Sequence, residues 1–330
     1  MAGETWQSQW QIGKETTPGT DAAASRIMYF EPDSALSEGL EIEPKKFATG
    51  TRDNVRAISV GPQLPGGSVI QQLSASEIIE LLLLGIKGGI TPTQPAAGPS
   101  PTVYLWTFVP GALDSATLEW HDGANQWQML GTRVNQLELA GSVREAPMVT
   151  AELLGTALAL ATLTGSLSQR TPDFINPWEA KLYIDAFGGT PGSTNIANFL
   201  ISYSLSINNN LGRKFWADNV DSAGAVIAGE LEITGTFLIE AVASQADTEF
   251  AAWRAGTKRL LRLELGNNEI AEDALTKFVK IDLPGAWTAA DLGQVDEQTR
   301  AYELSFQYVY DPTLAAGVKF QVQNNRSAAW

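Results

Sequence analysis

The chain has 330 residues, a formal net charge of −15, one histidine and no cysteine. The acidic balance argues against nucleic-acid binding, which needs clustered Lys and Arg on phosphates, and the counts exclude disulfides, thiolate chemistry and metal sites built on His or Cys. A hydrophobic content of 44% with 18% charged residues describes a soluble globular protein, long enough for two domains of about 100–150 residues each.

The opening Met1-Ala-Gly-Glu-Thr-Trp6 has no basic start followed by an apolar core, so no secretory signal is read there. The densest apolar run, Ile78 to Ile86, contains Glu80 and falls short of the roughly 20 residues that span a bilayer. A soluble protein made inside the cell is expected. Met28-Tyr29-Phe30 and Leu40 to Phe47 read as strands, with Arg52-Asp53-Asn54 in the loop that follows. Gly61 to Gly67 is a loop, and Ser68 to Leu73 is a return strand. Ser74-Ala75-Ser76-Glu77 is a Ser-x-x-acid helix start, in which hydroxyl and carboxylate satisfy orphan N–H groups, so a helix is predicted over 74–87.

Pro92 to Pro101 is the most loop-like segment, since repeated proline removes ladder donors and blocks helix. It reads as an insertion or an extended arm that could mediate stacking. Ala116 to Trp120, Leu137 to Leu139 and Ala151 to Leu153 alternate with period two, the pattern of half-buried antiparallel strands. A third helix is weighed near 155–163. Ser166 to Pro177, rich in polar residues and proline, is the natural boundary, giving domains at 1–170 and 171–330.

The second half repeats the order of the first. Leu182-Tyr183-Ile184 stands for Met28 to Phe30, Ile201 to Leu211 for the outgoing strand, and Ala217-Asp218-Asn219 for the Asp-Asn loop. Leu231 to Ile239 is the return strand, and Ser244-Gln245-Ala246-Asp247 the second helix start, ahead of a helix over 244–255. Both halves then close in alternating strands, over 116–154 and 259–310. The fold expected is mainly β, with two tandem domains, each carrying one flanking helix.

Nothing in either half assembles a catalytic constellation, and no catalytic, cofactor-binding or metal residue is assigned. His121, followed by Asp122-Gly123, belongs in a tight turn before Gln126-Trp127, and no G-x-S-x-G elbow accompanies it. Phosphate-cradling glycine motifs are absent from the sequence. Asp and Asn gather at 53–54, 208–210, 218–221 and 267–269, which suits calcium in principle. Without a D-x-[DN]-x-[DN]-G loop, turn chemistry is the stronger reading. Of the ten Trp, Trp120 and Trp253 sit on patterned elements and suit a core, whereas Trp6, Trp10, Trp287 and Trp330 suit arms docked on a neighbouring subunit.

Three passages resemble the tail tube proteins of phages with long, non-contractile tails. They are Gly13-Lys14-Glu15-Thr16-Thr17-Pro18-Gly19-Thr20, Tyr104 to Phe108 leading to Ala116 to Trp120, and Gln128 to Leu137 followed by Met148 to Gly155. The resemblance implies a small β-sandwich or barrel with one flanking helix, rings that stack into a tube, and a lumen through which DNA passes without specific binding. It also implies self-association, a tape-measure protein, tail-tip and tail-terminator partners, no membrane, and a place in the virion tail after assembly in the host cytoplasm. Two domains per chain would make three chains complete a ring with pseudo-six-fold symmetry, since a heterologous interface closes into a ring when its rotation does. An acidic lumen would repel DNA.

Two other readings compete. A calcium- or carbohydrate-binding β-sandwich would be a monomer stabilised by its ligand. An acidic β-rich glycoside hydrolase would lose turnover on changing one carboxylate.

Overall fold

A computed structural model describes residues 4–95, 102–196, 199–241, 243–272 and 275–330. In chain order, β1 (Gln9–Lys14), β2 (Arg26–Met28), β3 (Ala35–Ser37), β4 (Ile42–Lys46), β5 (Val55–Val60) and β6 (Gly66–Gln72) precede α1 (Ile78–Gly85). Next come β7 (Tyr104–Phe108), β8 (Ala116–His121), β9 (Gln126–Ser142), β10 (Met148–Leu154) and β11 (Ala157–Leu160). The second half holds β12 (Lys181–Ala186), β13 (Leu200–Asn208), β14 (Gly212–Lys214), β15 (Ala225–Ile227) and β16 (Glu232–Glu240), then α2 (Ala243–Ala255). It closes with β17 (Lys258–Glu272), β18 (Leu275–Asp296), β19 (Thr299–Tyr308) and β20 (Lys319–Asn324). The protein is mainly β, as the alternating patterns require.

One 16-stranded sheet runs through both halves in the order β12-β17-β18-β19-β16-β13-β9-β10-β6-β3. The halves join where β9 pairs antiparallel with β13, Leu139 opposite Leu205 and Glu138 opposite Ser206. On each side of this seam the pairings follow one plan. In the first half β1 bonds to β8, β8 to β9, β9 to β10, β10 to β6 and β6 to β3. In the second, β12 bonds to β17, β17 to β18, β18 to β19, β19 to β16 and β16 to β13. The long central strands share an irregularity as well: the register slips at Asn135 in β9 and at Thr288 in β18. Two separate hairpins, β4–β5 and β14–β15, occupy matching places before β6 and β16. Arg52-Asp53-Asn54 and Asp218-Asn219 lie at their tips, as the sequence order requires.

The core fills one face of this sheet. Val69, Val149, Ala151, Leu137, Leu139, Tyr203, Leu205, Ile207, Phe237, Leu304 and Phe306 point into it, each two residues from the next along its strand. α1 lies against β9 and α2 against β18. Every residue of α1 is buried, which explains why its sequence, Glu80 apart, is apolar all round and not striped. A Cβ at Gly85 would sit 3.0 Å from the Val134 side chain, so the glycine lets the end of α1 approach β9 closely. The orphan carbonyl of Gly85 is taken by Asn209 Nδ2 at 2.8 Å, and the same amide reaches the Val134 carbonyl at 2.9 Å.

The structure corrects several local expectations. Residues 157–160 form a strand against β9, not a helix, because pairing with Trp127 to Leu130 supplies the backbone partners. The stretch Leu40 to Phe47 is not the counterpart of Ile201 to Leu211; by pairing, β3 matches β13, and β4 matches β14. Likewise β12 corresponds to β1 and not to Met28–Phe30, since each borders the strand that leads into the long hairpin. Ser244 lies inside α2 and not ahead of it. At the first helix Ser74 Oγ does accept the N–H of Ser76 and of Glu77, but Glu77 returns no bond and the helix starts at Ile78.

Candidate functional site: the open sheet face

The face opposite the core is polar and accessible. Four rows of side chains cross it. Thr150, Glu138, Ser206, Thr234 and Gln307 lie side by side on β10, β9, β13, β16 and β19. A second row holds Met148, Ala140, Ser204, Thr236, Ser305 and Ala289. Ser68, Glu152, Gln136, Asn208 and Glu232 form a third, and Ser142, Ser202, Leu238, Glu303 and Asp291 a fourth. The rows contain five carboxylates, those of Glu138, Glu152, Glu232, Glu303 and Asp291, and neither Lys nor Arg. Small hydroxyl residues dominate the middle, and Gln136 Nε2 ties it together by donating to Glu138 at 2.6 Å and Ser206 Oγ at 3.0 Å. Alternation in the sequence foretold a free face; which acids stand on it required the register.

A second constellation lies on the core side. Glu77, Glu80, Asp173, Arg26, Arg170, Lys277 and Arg326 gather around the start of α1. Glu80 is wholly buried and binds Arg326 through both carboxylate oxygens. Asp173 accepts from Ser74 Oγ at 2.5 Å and Ser76 Oγ at 2.7 Å. The Glu77 carboxylate lies 3.7 Å from Arg170 and accepts no hydrogen bond among the described residues. Burial, reinforced by the charge of Glu80, pushes its carboxyl up to about 7. The cluster binds α1, the segment before β12 and the segment after β20 to one another. No sequence pattern announced it, because its members lie far apart in the chain.

The residues singled out from sequence have ordinary structural places. His121 ends β8 opposite Gln126, in the hairpin anticipated for it, with Nδ1 3.0 Å from the Gln7 carbonyl oxygen. Among the Asn and Asp groups, Asn210 and Asn219 take left-handed backbone, and Asn208 and Asp218 accept backbone N–H groups two residues on. No group of three or more His, Asp or Glu among the described residues is placed to hold a metal. Of the proline-rich segment, residues 96–101 lie outside the described residues.

The tryptophans are sorted differently from expectation. Trp10 is 2% exposed and stacks on Trp120 with centroids 5.1 Å apart. Trp287 is buried beside Phe237 and Phe306 and donates to Glu249 at 2.8 Å. Trp330 is half-buried against the core. Strand pairing, invisible in the sequence, draws Trp10 and Trp287 inside, while Trp330 packs against the core from the segment after β20. Only Trp6 of that set is strongly exposed, at 75%.

Two further surfaces are apolar and uncovered. Ile42, Phe47, Val55, Ile58 and Val60 on the β4–β5 hairpin are exposed, as are Trp216, Val220 and Ile227 on the β14–β15 hairpin. The passages around residues 13–20 and 128–137 meet through Glu15, which accepts the Gly131 N–H at 2.7 Å, the Thr117 hydroxyl at 3.2 Å and the Gly19 N–H at 2.8 Å. This carboxylate locks the loop after β1 onto β9. No helix among the described residues is long and apolar enough to cross a membrane.

Residues 5–307 match the profile of a family described as phage tail tube protein. No curated protein matches the chain.

Proposed function

The chain belongs to the phage tail tube protein family, and from that membership we propose that it polymerises into stacked rings whose bore conducts DNA during ejection. The observation that carries this is the continuous sheet with a core on one face and, on the other, four rows of side chains that hold five carboxylates and neither Lys nor Arg. Curved into a ring, that open face lines a channel. Glu138, Glu152, Glu232, Glu303 and Asp291 then repel phosphate within a Debye length of about 8 Å. Ser and Thr between them offer hydration without a cationic hold, so the polymer slides.

The chain is read as two tube domains, 1–170 and 171–330, on the strength of the repeated pairing plan. Three chains then make a ring of six domains. Partners beyond the chain itself follow from the family: a tape-measure protein in the bore, tail-tip and terminator proteins at the ends, all within a virion tail assembled in the host cytoplasm.

Electron microscopy of the concentrated protein, with light scattering on the same sample, tests this. Hollow tubes or rings with three-fold symmetry are expected. Rings of six whole chains would overturn the paired-domain ring, and a persistent monomer under all assembly conditions, tail-tip extract included, would overturn the tube itself.

A further inference from the structure

The seam inside the chain specifies a second seam between chains. β9 pairs with β8 along 126–132, then with β13 along 136–142 on the same edge. β18 pairs with β17 along 275–286, and beyond Ala286 no described strand takes that edge. This stretch shows Leu292 and Val295 at 42% and 60% exposed. At the far end of the sheet β3 bonds only to β6, so its outer edge is likewise open among the described strands. Open edges carry unpaired N–H and C=O groups that template another strand.

The pairings align the two halves through the slip in each long strand and up to Asp291, after which β18 slips a second time before Gln294. The slip at Asn135 matches that at Thr288, so Leu137, Glu138 and Leu139 correspond to Ala290, Asp291 and Leu292. Gly67 opposes Leu36 as Gly235 opposes Leu205, so Leu36 and Ser37 correspond to Leu205 and Ser206. Within the chain, Leu205 lies opposite Leu139, at 1% and 3% exposed, and Ser206 opposite Glu138. Their counterparts, Leu36 with Leu292 and Ser37 with Asp291, carry the same chemistry: an apolar pair for the core face and a hydroxyl–carboxylate pair for the open face.

We propose that β3 of one copy pairs antiparallel with the 287–292 edge of β18 of the next, Leu36 opposite Leu292 and Ser37 opposite Asp291. The occupant is a second copy of this chain, and the proposal rests on the ring reading above. It makes the ring a continuation of the internal seam and extends the acidic face across the junction without a break.

The absence of native cysteine makes the test direct. Directly opposed residues have Cβ atoms about 4.5–5.5 Å apart, within reach of a disulfide. Ser37→Cys with Asp291→Cys, and separately Leu36→Cys with Leu292→Cys, would be oxidised in assembled protein and run on a non-reducing gel. Seven strand intervals separate β3 from β18 along the sheet, about 34 Å at the usual spacing, so any bond formed joins two copies. Covalent dimers and a closed trimer are expected, at least tenfold above a Ser37→Cys with Val295→Cys control, whose partners would sit about 13 Å apart. Rings that form but crosslink no better than the control would overturn the register and leave the tube reading standing. Failure of both native protein and variants to form any ring would overturn both.

Discussion

Arg326 grips Glu80 with two parallel N–H donors, Nη1 to Oε2 at 2.9 Å and Nη2 to Oε1 at 2.5 Å, across 246 residues of chain. Arg326 also donates to the carbonyls of Ser76 and Ala329, and Arg26 lies 3.5 Å from the same carboxylate. Removing one member of such a pair leaves a buried charge uncompensated, whereas removing both does not. Arg326→Ala is therefore expected to lower stability by about 3–5 kcal/mol. Glu80→Leu combined with Arg326→Met should cost clearly less than the sum of the single changes. Urea unfolding of the singles and the double measures this coupling.

Glu77 gives the fold a pH dependence of unusual sign. Its carboxyl is raised by burial and by Glu80, against the opposing pull of Arg170 and Arg326, so near pH 6 the folded chain holds a proton that the unfolded chain has released. Stability contributed by this group is then full below the unfolded value of 4.5 and is lost as pH rises through about 7. Glu77→Gln is expected to remove this fall, which is on the order of 1–3 kcal/mol between pH 4.5 and 8. Thermal melts of both proteins across that range check it.

The tryptophans offer a contrast that sequence reasoning misses, since it sets Trp6 and Trp287 together on docking arms. Trp287→Ala removes a buried ring and strips the buried Glu249 carboxylate of the indole donor that it shares with Arg259. A loss of about 3–5 kcal/mol is expected. Trp6→Ala, at an exposed position, should stay within about 0.5 kcal/mol. Calorimetry on the two variants separates core from surface.

Gly67 of β6 lies opposite Leu36 of β3. A Cβ there would lie 2.5 Å from the Ala35 carbonyl and 2.9 Å from the Leu36 side chain. Gly67→Ala should push β3 away from β6, costing about 1–3 kcal/mol and weakening ring closure more than folding. Sedimentation alongside a melt distinguishes the two effects.

Charge reversal on the open face tests the conduit. Glu138→Lys with Glu152→Lys and Glu303→Lys is expected to yield tubes that retain DNA. Retention should weaken with salt, at a slope of about 0.7–0.9 per phosphate neutralised. A filter-binding titration at several salt concentrations reads it, and native tubes should show no retention.

The sequence by itself determined the mainly β character, because Tyr203, Leu205 and Ile207 alternate with serines and so must present one apolar and one polar face. It also placed a helix over Ile78 to Leu84, and the structure buries every residue of α1, Glu80 included. Turn chemistry at His121-Asp122-Gly123 and at Asn208 to Asn210 was local, and local rules placed it. What lay beyond reach depends on which strand meets which. Pairing alone brought Trp10 onto Trp120, turned residues 157–160 into a strand, and matched β1 with β12. The slips at Asn135 and Thr288 decided which carboxylates share the open face, because a one-residue shift sends a side chain to the opposite side of a sheet. The ion cluster of Glu80 and Arg326 arose the same way. Alternation is a property of neighbours along the chain, but register and burial of charge belong to residues far apart in it, and only the tertiary structure brings those together.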